Sequence, residues 1–241
     1  MNPCKNCQTD CSGDYCPSCG QRQVALDRPI WQLAGDVLKE TFDLDGRAAL
    51  TVKTLFRYPG LLTAEFLAGR RQRYTPVLRL YIAISISFFV IVAWLAQTGA
   101  LLEPGQDPRF DAAIQARFLS DDLPRLMFVL LPVFAVLMKL GWPSRLYFEH
   151  LIFSLHLHCA AYVILVLMLP LEQLANHVTA LMLAQVLLLV YFCVYFALAV
   201  RRVYRSGWLA TAGKTTAVLF AYMIVISLVI ENTSNFMIIA D

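Results

Sequence analysis

Long uncharged stretches occupy most of the chain after residue 80. Residues 80–102 form a run of 23 positions without a charged side chain. A helix rises about 1.5 Å per residue, so roughly 20 such residues cross the hydrocarbon core of a bilayer. Four further apolar stretches of comparable length follow. The pattern predicts five transmembrane helices, at residues 80–102, 123–142, 150–170, 178–200 and 208–230.

The segment before the first span has a different pattern. Over residues 24–78, apolar positions recur at helical spacing without forming a run long enough to cross a bilayer. One amphipathic helix is expected at residues 30–42, and two shorter ones on either side of a Pro59–Gly60 turn. The sequence therefore predicts helices at the membrane interface, followed by the transmembrane bundle at residues 79–241.

Composition and charge support this division and add an orientation. The chain is 59% hydrophobic and 15% charged, against about 25% charged residues in soluble domains. Of its 20 Lys and Arg residues, 17 lie before the first span or in the loops on that side, and 3 lie in the other loops. The positive-inside rule then predicts a multi-pass protein of a bacterial inner membrane, with the N-terminus cytoplasmic and the C-terminus periplasmic.

A cluster of cysteines opens the chain. Residues 1–23 contain two CxxC pairs separated by eight residues, and two such pairs can supply the four thiolates of a tetrahedral Zn²⁺ site. The alternative, a disulfide cluster, needs an oxidising compartment, whereas the predicted orientation places these residues in the reducing cytosol. We therefore expect a minimal structural zinc ribbon with Cys11 as a spare thiol. The predicted ligands are Cys4, Cys7, Cys16 and Cys19.

Basic residues concentrate just before the first span. Arginines at the membrane surface are typical anchors for anionic lipid headgroups and determinants of topology, and binding of a ligand phosphate is the alternative. The ribbon itself carries too few bases for a surface that tracks nucleic acid, so nucleic acid is not expected as a partner. The candidate lipid-binding or anion-binding residues are Arg57, Arg70, Arg71, Arg73 and Tyr74.

The third predicted span carries the candidate chemistry. It holds Glu149, His150, His156 and His158, and ionisable groups at bilayer depth are expensive and start as functional candidates. On a regular helix, Glu149 and His156 share one face, while His156 and His158 point nearly opposite ways. Partners from other helices are therefore needed, with Tyr191 and Tyr195 among the possibilities. Three readings stay open: interhelical hydrogen bonding, catalysis or ligand binding, and passage of ions or protons.

Three motifs together resemble one known family. They are the ribbon ending in CPSCG-Q, the segment RYPGLLTAEFLAGRRQRYTP and the segment EHLIFSLHLH. The chain resembles an uncharacterised bacterial family of zinc-ribbon membrane proteins classed as a domain of unknown function. The resemblance implies a ribbon, an amphipathic region and a few transmembrane helices, but no reaction. Its motif positions correspond here to Arg57, Pro59, Gly60, Gly69, Arg71, Tyr74, Pro76, Glu149, His150, His156 and His158.

The sequence thus predicts an all-α integral membrane protein with an N-terminal zinc ribbon. Its expected function is the binding of a lipid, or of a protein partner at the ribbon. The alternative is an enzyme embedded in the membrane that acts on a lipid of the inner leaflet, using Glu149 with His150, His156 and His158.

Overall fold

The computed structural model describes residues 2–21, 47–97, 117–175 and 179–240. The interfacial helix predicted at residues 30–42 lies outside these residues. Near the N-terminus, strands β1 (Asn2–Pro3) and β2 (Asp10–Cys11) pair antiparallel. A π-helical turn, Phe118–Asp122, leads into the second long helix. The described residues contain seven α-helices: α1 (Arg47–Arg57), α2 (Leu61–Leu67), α3 (Val77–Gln97), α4 (Leu123–Gly141), α5 (Tyr147–Ala175), α6 (Thr179–Tyr204) and α7 (Trp208–Ala240).

Five of these helices, α3 to α7, are long and apolar enough to cross a membrane, which confirms the predicted all-α bundle of five spans. The helix bounds differ from the apolar runs by a few residues, and α5 and α7 extend furthest beyond them. The reason is that an apolar run marks where the chain crosses hydrocarbon, whereas backbone hydrogen bonding continues into the polar flanks.

Helix α5 lies at the centre of the bundle. In its spanning part 61% of the residues are buried, against 17–33% in the other four spans. It packs against α3, α4 and α6, and its fully buried Phe153 and Tyr162 meet aromatic side chains from those neighbours. The segment that carries the histidines is therefore the core of the bundle.

The connections gather at one end of the bundle, here called the ribbon end. Arg202 at the end of α6 donates to the Pro59 carbonyl between α1 and α2 (2.6 Å). Lys214 in the first turns of α7 donates to the Gly141 carbonyl at the end of α4 (2.8 Å). The turn between α1 and α2, the α4–α5 turn and the α6–α7 turn therefore share one side of the bundle.

Gly60 brings α2 against α6 by a close backbone approach. Its φ of +75° falls in the left-handed region that favours glycine. A Cβ atom added there would lie 2.6 Å from the carbonyl oxygen of Ala199 and 2.9 Å from its Cα atom. The Pro59–Gly60 turn therefore ends α1 and allows α2 to pack directly on a transmembrane helix.

Candidate metal centre and its contact with the bundle

Four cysteine sulfurs converge near the N-terminus. The Sγ atoms of Cys4, Cys7, Cys16 and Cys19 all lie within 4.8 Å of one another. Two of the separations are 3.7 Å, for Cys4 and Cys19, and 3.5 Å, for Cys7 and Cys16. A tetrahedron with Zn–S bonds of about 2.3 Å has S···S edges of ~3.8 Å. The four predicted ligands therefore have a spacing that fits one zinc ion.

The two CxxC pairs form equivalent knuckles. The amide of Gln8 donates to the Cys4 carbonyl, and the amide of Gly20 donates to the Cys16 carbonyl, both at 2.9 Å. Gln8 and Gly20 have φ values of +65° and +69°. In each knuckle the chain thus reverses just after the second cysteine, which turns both thiols toward the same centre.

The fifth cysteine of the ribbon lies outside the four-sulfur cluster. The Cys11 thiol donates to the Thr9 carbonyl (3.4 Å), and burial raises the pKa of Cys11 to about 11. Hydrogen bonding to the Thr9 side chain lowers the pKa of Cys7 to about 6. The pKa of Cys19, a predicted ligand, is also raised to about 11, so it is the position of its sulfur outside the cluster that separates Cys11 from the four predicted ligands.

The ribbon contacts the rest of the chain through Gln21, which directly follows the second knuckle, and through Lys5, whose side chain lies against Gly69. The Gln21 side chain is buried. Its Nε2 donates to the carbonyl of Gly69 (2.6 Å), and its Oε1 accepts from the amide of Arg71 (3.1 Å). This pair of bonds fixes the ribbon on the segment between α2 and α3, residues 68–76, here called the arginine turn.

The predicted lipid-binding side chains have different surroundings in the structure. Arg70 makes two hydrogen bonds to the Glu65 carboxylate (2.6 and 2.5 Å), and this partner holds the pKa of Glu65 below its ordinary value. Arg71 lies over the Phe66 ring, 4.3 Å from the centroid. Arg73 is exposed and lies 5.8 Å from the ring centroid of Tyr74.

Arg57, the remaining residue of this set, lies at the end of α1. It is exposed and 5.9 Å from the ring centroid of Tyr58. A similar pair joins the end of α6 to the start of α7, where the Arg201 guanidinium lies 4.0 Å from the Trp208 ring centroid. Arginines beside Tyr and Trp are typical of the level of lipid headgroups, so these pairs mark the ribbon end as an interfacial region.

The three histidines of α5 contact three different helices. His156 Nδ1 and the Thr63 hydroxyl of α2 are 3.0 Å apart. His150 Nδ1 and the Tyr204 hydroxyl of α6 are 2.8 Å apart, with the two rings stacked. The structure therefore does not bring these histidines to one centre, and each joins α5 to another part of the fold.

The other candidate residues of α5 also have separate partners. His158 Nε2 and the Tyr222 hydroxyl of α7 are 2.9 Å apart. Glu149 pairs with Arg145, one helical turn away, at 3.2 Å. The hydroxyl of Tyr195, which the sequence offered as a histidine partner, donates instead to the Leu55 carbonyl of α1 (3.0 Å).

Sequence reasoning missed Thr63, Tyr204 and Tyr222 as the histidines' partners. They are 93, 54 and 64 residues away along the chain, and no spacing rule connects positions so far apart. A small crevice of about 10 Å³, room for about one water molecule, lies beside the first of these contacts, with Thr63 and His156 in its wall. It is smaller than the roughly 300–1,000 Å³ of typical ligand pockets.

Residues 45–89 match the model of a family described as "Protein of unknown function (DUF3667)". The chain is similar to that family over this segment, which supports an integral membrane protein of unknown activity. Neither the curated proteins nor the solved structures contain a match to the chain.

The matched segment connects the N-terminal ribbon to the helix bundle. It contains α1, α2, the arginine turn and the first part of α3. One side of the segment meets the ribbon through Gly69 and Arg71, and the other meets α5 through Thr63 and α6 through Gly60. The cysteine cluster and the histidines lie outside the matched residues; Gln21 of the ribbon and His156 of α5 bond to them.

Proposed function

We propose that this chain is a multi-pass protein of a bacterial inner membrane that carries a structural zinc ribbon on the cytosolic side. It works by binding an anionic lipid or a protein partner at that face. The observation that carries this proposal is the convergence of four cysteine sulfurs within 4.8 Å. Their spacing suits one metal ion rather than two disulfides, because an S–S bond is about 2.05 Å long.

Metal analysis of the purified full-length protein tests the ribbon. We expect about one zinc per chain, and we expect Cys16→Ser to lose it because that substitution removes a ligand. Cys11→Ser is the matched control, since Cys11 belongs to the same ribbon but lies outside the cluster. A wild-type protein without zinc, or a Cys16→Ser protein that keeps it, would refute the proposal.

The proposed orientation is supported by the position of the basic side chains. The arginine turn and the end of α6 bring arginines to the ribbon end, and the start of α7 brings Lys214. The positive-inside rule places that end in the cytoplasm. Reporters fused to the two termini should therefore report opposite compartments. Signals from the same compartment would refute an odd number of crossings.

A binding role, rather than catalysis, is supported by the hydrogen bonds of the three histidines of α5. Each of the three makes a hydrogen bond to a side chain of another helix, and such bonds join helices inside a membrane. Their role in this proposal is structural. We therefore expect His156→Ala to lower the unfolding temperature of the protein, because the buried Thr63 hydroxyl loses its histidine partner.

One observation favours the alternative, a membrane-embedded enzyme that acts on a lipid. Thr63 and His156 form a hydroxyl–imidazole pair in the wall of the small crevice, and such a pair can serve as nucleophile and general base. Under this alternative, the wild-type protein turns over a lipid, and His156→Ala loses that turnover in addition to the buried hydrogen bond. Turnover of a lipid, rather than thermal unfolding, therefore separates the two functions.

A further inference from the structure

The arginine turn is held from two sides. On one side, Gln21 of the ribbon bonds to the Gly69 carbonyl and the Arg71 amide. On the other, α1 bonds to the same turn, because the Arg47 guanidinium donates to the Gln72 carbonyl (2.8 Å) and the Thr75 amide donates to the Thr51 hydroxyl (2.9 Å). The conformation of the turn therefore depends on the ribbon as well as on the helices.

The ribbon presents Gln21 through its second knuckle. The amide of Cys16, a predicted metal ligand, donates to the backbone carbonyl of Gln21 (2.9 Å), and the amide of Gly20 donates to the Cys16 carbonyl. A metal held by Cys16 and Cys19 would therefore fix the backbone on which the Gln21 side chain stands. Small zinc modules depend on their metal for folding, so loss of the metal would release this side of the turn.

The outer surface of the turn has the chemistry of a lipid headgroup site. Arg73 is exposed beside Tyr74, and the Arg70 side chain is 44% exposed while it bonds to Glu65. The apolar helix α3 begins directly after the turn, at Val77. The cytoplasmic leaflet carries anionic lipids, which attract juxtamembrane arginines by about 1 kcal/mol each, or roughly fivefold in affinity. Charge and position thus favour an anionic phospholipid as the occupant.

We infer that the metal in the ribbon and an anionic phospholipid at the arginine turn are coupled through Gln21, so that the loaded ribbon strengthens lipid binding. This inference rests on the proposed function, because it requires a bound metal. Coupling of this kind is reciprocal. The same lipid must therefore raise the affinity of the ribbon for zinc by the factor by which zinc raises the affinity for the lipid.

The test measures binding of phosphatidylglycerol, with phosphatidylcholine as the neutral comparison, to the full-length protein in a neutral detergent. Native mass spectrometry counts both the zinc and the bound lipid. We expect removal of zinc with a chelator to weaken phosphatidylglycerol binding about fivefold or more, with no change for phosphatidylcholine. Arg73→Gln should weaken phosphatidylglycerol binding about fivefold in the loaded protein.

Gln21→Ala is the decisive variant because it leaves all four cysteines in place. It should retain zinc, bind phosphatidylglycerol as weakly as the chelated wild-type protein, and show no further response to the chelator. Ser12→Ala is the matched control, since it removes an exposed polar side chain from the same ribbon and should behave like the wild type.

Three outcomes would overturn the inference, and they are distinguishable from failure of the proposed function. In the first, zinc is present and removable but phosphatidylglycerol binding does not change. In the second, the Gln21→Ala protein still responds to the chelator. In the third, Arg73→Gln leaves phosphatidylglycerol binding unchanged. Absence of zinc from the wild-type protein would instead refute the proposed function, and the inference with it.

Discussion

The close packing of α2 on α6 predicts that Gly60→Ala destabilises the protein. The added methyl group would have to occupy a φ of +75°, which costs an L-residue about 1–2 kcal/mol. It would also meet the Ala199 carbonyl oxygen at 2.6 Å. That neighbour is backbone and cannot rotate away, so the overpacking adds about 1–3 kcal/mol. The two costs together give a destabilisation of roughly 2–5 kcal/mol.

Thermal unfolding in detergent, followed by circular dichroism, measures this loss. For a chain of this size about 1 kcal/mol corresponds to 2–4 °C, so we expect the unfolding temperature to fall by roughly 4–20 °C. Gly213→Ala is the control: no atom lies within 4 Å of its added methyl group, and the position is inside α7. Alanine there should leave stability unchanged or raise it by about 0.5–1 kcal/mol. A Gly60→Ala protein that unfolds with the wild type would refute the close contact between α2 and α6.

Two further predictions concern side-chain partners. Tyr204→Phe removes the hydroxyl bonded to the fully buried His150. We expect a loss of about 1–3 kcal/mol by thermal unfolding, and a much smaller loss for the partly exposed Tyr191→Phe. Hydrogen bonding to Arg70 lowers the pKa of Glu65 in the folded protein. The ion pair therefore stabilises the fold at pH values above the ordinary carboxyl pKa, and this stabilisation is lost as the pH falls through the pKa of Glu65 in the folded state. Since the pair is partly exposed, Glu65→Gln should lower the free energy of unfolding by less than about 1 kcal/mol at pH 7. The difference between this variant and the wild type should disappear when unfolding is measured down to pH 3. A difference that grows on acidification would contradict this prediction.

The parts of the fold that the sequence could predict are those set by short-range patterns. An apolar run of about 20 residues has essentially one structure in a bilayer, because each backbone polar group must find its partner within the helix. The five spans follow from this rule. The cysteine spacing works in the same way, because two residues between thiols set a tight turn whatever surrounds it.

The parts of the fold that the sequence could not predict depend on which helix faces pack against each other. Glu149 and His156 share a helical face, yet Glu149 pairs with Arg145, a contact one turn away that spacing alone could have suggested. His156 instead reaches Thr63, because the short helix α2 packs against α5. Gln21 carries no local signal either, since its role depends on the arginine turn lying beside the second knuckle.

Helix α2 and the arginine turn stand between the two candidate sites, and their contacts limit what each site can affect. Thr63 and Gly60 fix α2 to α5 and α6 independently of the ribbon. Gln21 holds only the turn that follows, at Gly69 and Arg71. A change in the metal state of the ribbon would therefore act on the arginines at the membrane surface, whereas the histidine contacts inside the bundle would stay in place. This separation favours an interfacial binding role for the ribbon over one in chemistry at the histidines.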